Sequence, residues 1–215
     1  MVRVPKQTLR NWVLGYTYPR GGERELAEPV IRPPTGADGP ALSFVNLIEA
    51  LTLAGFREMG VPLQRVRGAL DYAAEDLGIE HLLASERILT DGLDLFWRFQ
   101  ELSGEQLVNI SRHGQKVFPE AVDRYLREVE WGPDRLASRW WPGAVAARQG
   151  LVVVDPRRAF GAPVVAGTGI RTEDVFSRFS AGESVSGLAE DFGLSVAQVE
   201  ACVRVEASFL EPIAA

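Results

Sequence analysis

The sequence predicts a mainly α protein of two small domains, built from helix-turn-helix-type modules with short β-strands. Three observations predict it. Apolar residues recur at helical spacing through most of the chain, the valine-rich runs are too short for long strands, and a segment broken by proline and glycine at Pro133–Gly150 parts two patterned halves. With 215 residues and a 46% hydrophobic share, two packed cores are within reach. The domains are expected at residues 1–132 and 150–210.

The opening segment VPKQTLRNWVLGY has a helical rhythm. Pro5 suits a first turn, where a missing N–H costs nothing, and Gly15 ends the run. Leu9, Trp12 and Val13 form the inward stripe, leaving Lys6, Gln7, Arg10 and Asn11 outside. Residues Tyr16 to Pro40 show no periodicity and read as a loop, with one short strand around Pro29–Arg32. From Ser43, Phe44, Leu47, Ile48, Leu51 and Ala54–Gly55 mark a second helix that Gly60 stops. Pro62 opens a third, with Leu63, Val66, Leu70, Ala73 and Leu77 inward and Gly78 at its close. Two such stripes a few residues apart should pack as a hairpin. DLFWRF, beside a turn at Asp91–Gly92, reads as a strand, and Glu120–Val129 as a helix.

In the second half LVVVD reads as a short strand, a turn follows at Pro156–Gly161, and PVVAGTGI runs up to Thr172, which caps a helix over Glu173–Phe179. VSGLAEDF and VAQVEACVRVEASFL are two more helices. Gly193 lies in the turn between them, and Ser195 with Gln198 three residues on is a helix-start pair. Leu188, Phe192, Leu194, Val199 and Val203 are the expected shared core, with Ala189 allowing close approach. This is a helix-turn-helix pattern, yet the outer positions of its second helix are Ala197, Gln198, Glu200, Ala201 and, later, Arg204. Glu200 carries the wrong sign for phosphate, so packing or protein contact is the favoured role there.

Charge points to the other end of the chain. The formal net charge is -6, but residues 1–32 hold six basic side chains against three acidic ones. Arginine can take both acceptors of guanine, and glutamine or asparagine can pair with the adenine edge. Arg10 with Gln7 or Asn11 are therefore the candidate base-reading residues, and Lys6 or Arg3 the candidate phosphate contacts.

Covalent chemistry finds little footing. His81 and His113 lie far apart, Cys202 sits in an apolar stripe with no second cysteine, and Glu75–Asp76 and Glu190–Asp191 are adjacent pairs that diverge on a helix. Asp91, Asp94 and Asp155 could meet in space, which sequence spacing alone does not decide. Gly161, Gly167 and Gly169 precede no lysine at phosphate-loop spacing. The expectation is a non-enzyme without metal or cofactor. With no run of eighteen apolar residues, no signal segment and no disulfide, a cytoplasmic chain without a membrane span is expected.

The stretch from Val152 to Val203 resembles the DUF433 family. The likeness rests on Asp155–Pro156, Gly161–Pro163, Gly167–Thr168–Gly169–Ile170, Ala181–Ser184, Leu188–Ala189, Leu194–Ser195 and Val199. The resemblance implies a three-helical unit preceded by short strands. TLRNWVLGY, LSFVNLIEA, GVPLQRVRGAL and Gly114–Gln115 resemble the helix-turn-helix region of VapB45-like antitoxins. That resemblance implies a partner, a PIN-domain ribonuclease toxin whose RNA cleavage is blocked, and an operator DNA whose operon is repressed. It carries the recognition-helix role onto Lys6–Trp12, although the helix expected upstream has no match in this sequence. Operator reading implies a homodimer, with Ser43–Leu77 as the candidate dimer surface or else part of the monomer core. Arg157, Arg158, Arg171 and Arg178 are the candidate toxin contacts, because they lie beside predicted turns and a helix start. Two other readings stay open: a protein-interaction module that does not bind DNA, and a small hydrolase using scattered acids with His113.

Overall fold

The computed structural model describes residues 1–2, 4–34, 42–58, 60–90, 126–143 and 150–210. It is mainly helical, with short strand pairs, and divides into two compact units that part in sequence at Leu126. The segments around DLFWRF, Asp91–Gly92, His113 and Gly114–Gln115 lie outside the described residues.

The N-terminal unit starts with helix α1 (Lys6–Leu14), which buries Trp12 and Val13. Its last turn is closed from outside: the N–H groups of Val30 and Ile31 both donate to the Trp12 carbonyl, at 2.8 and 2.9 Å. Gly15 then turns the chain with φ of +72°, and a Cβ there would sit 2.5 Å from the Ala27 carbonyl oxygen. Only glycine meets both demands.

Residues 16–27 are not loop. Strands β1 (Tyr16–Arg20) and β2 (Glu23–Ala27) form an antiparallel hairpin in the register Tyr16↔Ala27 to Arg20↔Glu23. Its tip is Gly21–Gly22, with φ of +60° and +93°, the backbone signs a two-residue hairpin turn needs. Apolar alternation missed it because β2 exposes every residue but Ala27. The strand expected around Pro29–Arg32 is absent; those residues serve α1 as its cap.

Helix α2 (Phe44–Glu58) starts where Ser43 predicts. The Asn46 N–H donates to Ser43 Oγ, and the Ser43 N–H donates back to Asn46 Oδ1, both at 3.1 Å. From Ile48 to Phe56 every residue is buried, so α2 is the central rod of its unit and not an amphipathic surface helix. Helix α3 (Leu63–Glu75) buries Val66, Ala69 and Ala73. It ends two residues short of Leu77, which is exposed. A 3₁₀ turn (Leu82–Ala84) packs on α2 and leads to the short helix α4 (Arg87–Thr90).

A polar seam locks that turn to α2. Thr52 Oγ1 donates to the carbonyl of Leu83 at 2.8 Å. Buried Asn46 donates to Glu49 Oε2 at 2.8 Å, while Glu49 Oε1 meets His81 Nδ1 at 2.9 Å. His81 has the left-handed backbone of a turn residue, φ +54°.

In the C-terminal unit, β3 (Val129–Trp131) pairs antiparallel with β4 (Ala137–Trp140), with a bulge at Glu130/Trp131. A helix through Val129 is thus ruled out: only Leu126 is helical among the described residues there, and the chain is already a strand at Val129. This hairpin belongs to the later unit, because Trp140 and Val154 exchange two backbone hydrogen bonds, at 3.0 and 2.8 Å. Strand β5 (Val152–Val153) pairs with β6 (Val164–Val165).

Helices α5 (Thr172–Ser180), α6 (Val185–Phe192) and α7 (Val196–Leu210) complete the unit. Val165, Val175, Leu188, Leu194, Val199 and Cys202 form their core, Phe192 packing at its edge. Gly193 has φ of +64°, and Ser195 and Gln198 cap α7 reciprocally, as their spacing predicts. Val203 is only half-buried; Cys202 and Val205 take the inward places. Thr172 is not a cap either. Arg171 holds that position, and the buried Thr172 hydroxyl donates to Glu206 and faces the Pro163 carbonyl.

The His81–Glu49 pair makes stability depend on pH. Its hydrogen bond to Glu49 raises the His81 pKa above the ordinary value; burial opposes, and the nearby charges of Glu49 and Glu80 add to the rise. A raised folded-state pKa means the contribution is complete in mild acid and fades as pH climbs through the folded value. Melting curves of the wild type and His81→Asn, which tolerates left-handed backbone, should differ most near about pH 6 and least near about pH 9. A gap independent of pH would contradict the pairing.

Candidate interaction surfaces

On α1, burial of Trp12 and Val13 fixes which residues face out. Lys6, Gln7, Arg10 and Leu14 are exposed and Asn11 half-exposed. Gln7 Nε2 donates to Asn11 Oδ1 at 2.8 Å, one turn apart, so these two amides hold each other in place while Lys6 and Arg10 make no ion pair among the described residues. Arg3 lies outside the described residues. The hairpin that follows α1 adds a further exposed cation, Arg24, opposite Pro19. Sequence reading passed over Arg24 because it treated the segment as loop; the glycine pair between Tyr/Thr-rich and charged flanks was the available signal.

The C-terminal helix pair is poorly placed to enter a groove. Helix α7 is buried on two sides: Val199 and Cys202 pack against α5 and α6, while Ala201 and Val205 pack on Val152 of β5. Ala201, expected outside, is therefore inside. Glu200 and Arg204 on the remaining face pair with one another at 3.4 Å.

The four candidate arginines differ in their surroundings. Arg178 lies across the α5–α6 corner, bonded to Glu183 and, at 2.6 Å, to Asp191, with its guanidinium 5.1 Å from the Phe192 ring centre. Those two carboxylates hold its pKa well above the ordinary arginine value, and the hydrogen bond from Arg178 holds that of Glu183 below the usual carboxylate range. Arg171 pairs with Glu173 at 2.6 Å, both exposed. Arg157 is mostly exposed, its Nε 3.4 Å from Asp155. Arg158 is exposed and makes no ion pair among the described residues.

Asp155 is the best-held charge of the unit. It is 3% exposed, takes Arg139 Nε at 3.0 Å on one oxygen, and takes the Arg157 N–H at 2.9 Å on the other. Burial alone would raise its pKa, but the bonds from the Arg157 backbone, Arg139 and the Arg157 guanidinium outweigh it and leave the carboxyl below its usual range. Asp155 is thus a structural anchor and not a general acid. Burial pushes the Cys202 thiol up to about 12, which disqualifies it as a nucleophile near neutrality. No group of three or more metal-ligating side chains occurs among the described residues, and no helix among them is long and apolar enough to cross a membrane.

The fold and its two surfaces define a class: a helix-turn-helix-type unit joined to a small three-helix unit behind short strands. Residues 1–70 match the family model described as a putative DNA-binding HTH domain, and residues 152–204 match the protein family of unknown function DUF433. Over 208 residues, 91% of this chain and 85% of the relative, the sequence is 37% identical to a Mycobacterium tuberculosis protein named putative antitoxin VapB45. It is 25% identical over 215 residues to uncharacterized protein Rv2308 of the same organism, covering 93% of this chain and 83% of that protein. The X-ray crystal structure of Rv2018 from Mycobacterium tuberculosis superposes with a TM-score of 0.65 at 33% identity, covering 93% of this chain and 91% of that one. The chain belongs to the family of two-domain HTH–DUF433 proteins that includes the relative named VapB45.

Replacing Asp155 by alanine leaves Arg139 with Glu130 as its remaining carboxylate and frees the Arg157 N–H. Thermal melting of Asp155→Ala should fall by about 5 °C or more. An unchanged midpoint would show that the carboxylate anchors nothing.

Proposed function

We propose that this chain is the antitoxin of a toxin–antitoxin pair, which binds a PIN-domain ribonuclease toxin, blocks its RNA cleavage, and represses its operon by binding operator DNA as a homodimer. The observation that carries this reading is the outer face of α1. A helix anchored by buried Trp12 and Val13 offers Lys6, Gln7 and Arg10 to solvent. Those are the side-chain types that neutralise phosphate and pair with guanine and adenine edges. The 37% identity to a protein named a putative antitoxin supports the same reading across both units.

Inhibition needs no chemistry from the antitoxin. Covering an acidic cleft, or placing an arginine among carboxylates that hold a metal, suffices to stop cleavage. Arg157 and Arg158 suit that task better than Arg178, whose charge is matched within its own unit. Nearly all of α2 is spent on the core, so a dimer surface within Ser43–Leu77 would fall on the outer side of α3.

Mixing the purified chain with the product of the adjacent gene should abolish RNA cleavage and yield a complex that co-elutes. Undiminished cleavage without co-elution would refute the antitoxin role. In band shifts against its own promoter, Arg10→Ala should cut the preference for operator over random DNA, by roughly 1–3 kcal/mol, whereas Lys6→Ala should weaken both equally and lower the salt slope by about one. No sequence preference at low salt would count against operator reading.

A further inference from the structure

Among the large hydrophobic residues described, one stands apart in exposure. Phe160 is 108% exposed, while Leu210 follows at 71%. Leaving a whole aromatic ring in water forgoes the burial that drives folding, so its position asks for a reason.

The backbone gives part of one. Ala159 and Phe160 both have left-handed backbones, φ of +46° and +54°, and Gly161 continues the run at +78°. Consecutive side-chain-bearing residues rarely adopt that conformation, since Cβ then crowds the following carbonyl. Here it is held from both sides. The Gly161 N–H donates to the Arg158 carbonyl at 2.9 Å, and the Ala162 N–H donates to the Ala159 carbonyl at 3.0 Å. Further in, the Arg158 N–H donates to the Asp155 carbonyl, and the Arg157 N–H to the buried Asp155 carboxylate, both at 2.9 Å. The ring is thus carried on an ordered turn rooted in a buried anion. An exposed aromatic on an already ordered backbone loses little main-chain freedom on binding, and aromatic anchors dominate protein interfaces.

Charge narrows the partner. Arg157 and Arg158 immediately precede the turn, both exposed. We propose that residues 157–161 form a docking finger, whose Phe160 ring enters an apolar pocket of a protein partner while Arg157 and Arg158 meet carboxylates at its rim. This rests on the antitoxin reading and names the part of the chain that seats the toxin. A second copy of this chain is the competing occupant.

The test uses the full chain and the purified product of the adjacent gene. Phe160→Asn keeps a residue that tolerates the left-handed turn and removes the ring; since the ring makes no buried contact, the melting temperature should hold. Its affinity should drop about tenfold or more, mostly through faster dissociation. Arg158→Ser should slow association and flatten the salt dependence of binding. Wild type and Phe160→Asn binding with equal affinity would overturn the finger and leave the antitoxin reading standing. No binding by the wild type would overturn both. Loss of self-association in Phe160→Asn, with partner affinity intact, would assign the finger to a second copy and overturn the proposal.

Discussion

A single buried carboxylate organises the C-terminal unit. Asp155 follows directly on β5, and its two oxygens point at different parts of the fold: one to Arg139 on β4, the other to the main chain of the turn that leads to β6. An anion so buried is tolerated only with its lone pairs occupied. Filling them ties the β3–β4 hairpin to the β5–β6 pair and fixes the start of the turn bearing Phe160. The same requirement makes an aspartate at the end of a valine strand a fastening in the fold.

The N-terminal unit uses the same device at another place. Asn46 and Glu49 on α2 are both buried, and they satisfy one another before reaching His81 and the Arg32 carbonyl. Since α2 is enclosed on nearly all sides, its few polar groups become the points where other segments are registered. The residues around Arg32 that bond to α2 are continuous with Val30–Ile31, which cap α1. The orientation of the outer face of α1 is therefore set by a chain of backbone contacts that runs from the core helix outwards, and Gly15 permits the tight turn that lets this happen.

Much of the helical framework was legible because helices announce themselves through spacing and caps. Ser43, Gly60, Gly193 and the Ser195–Gln198 pair mark ends that local hydrogen bonding determines, so the sequence states them outright. The β1–β2 hairpin escaped because its strands bury almost nothing, leaving no alternation to read. Thr172 misled because a threonine before acidic residues resembles a cap, whereas its hydroxyl is claimed by Glu206 on a helix 34 residues away. Ala201 misled for a similar reason: a small residue says little about exposure until β5 is seen to lie against it. The exposed positions of Lys6, Gln7 and Arg10 followed from the Trp12–Val13 stripe. The exposure of Phe160 could not follow from anything local, since a phenylalanine next to Gly161 reads as core until its backbone is known.

Helices α1 and α7 differ in how much of their surface packing leaves free. A recognition helix must give one whole side to the groove, so only the opposite side can anchor it. Helix α1 meets that condition with a narrow apolar stripe and a wide polar face. Helix α7 does not: between α5 and α6 on one flank and β5 on another, its free arc is reduced to a strip where Glu200 and Arg204 neutralise each other. The exposed feature of the C-terminal unit is instead its strand-side turn, where the backbone is left-handed, the ring is bare and two arginines precede it. On the proposed reading, a polar helix of one unit addresses the nucleic acid and an aromatic turn of the other addresses the protein partner, so neither task is asked of the other unit's core.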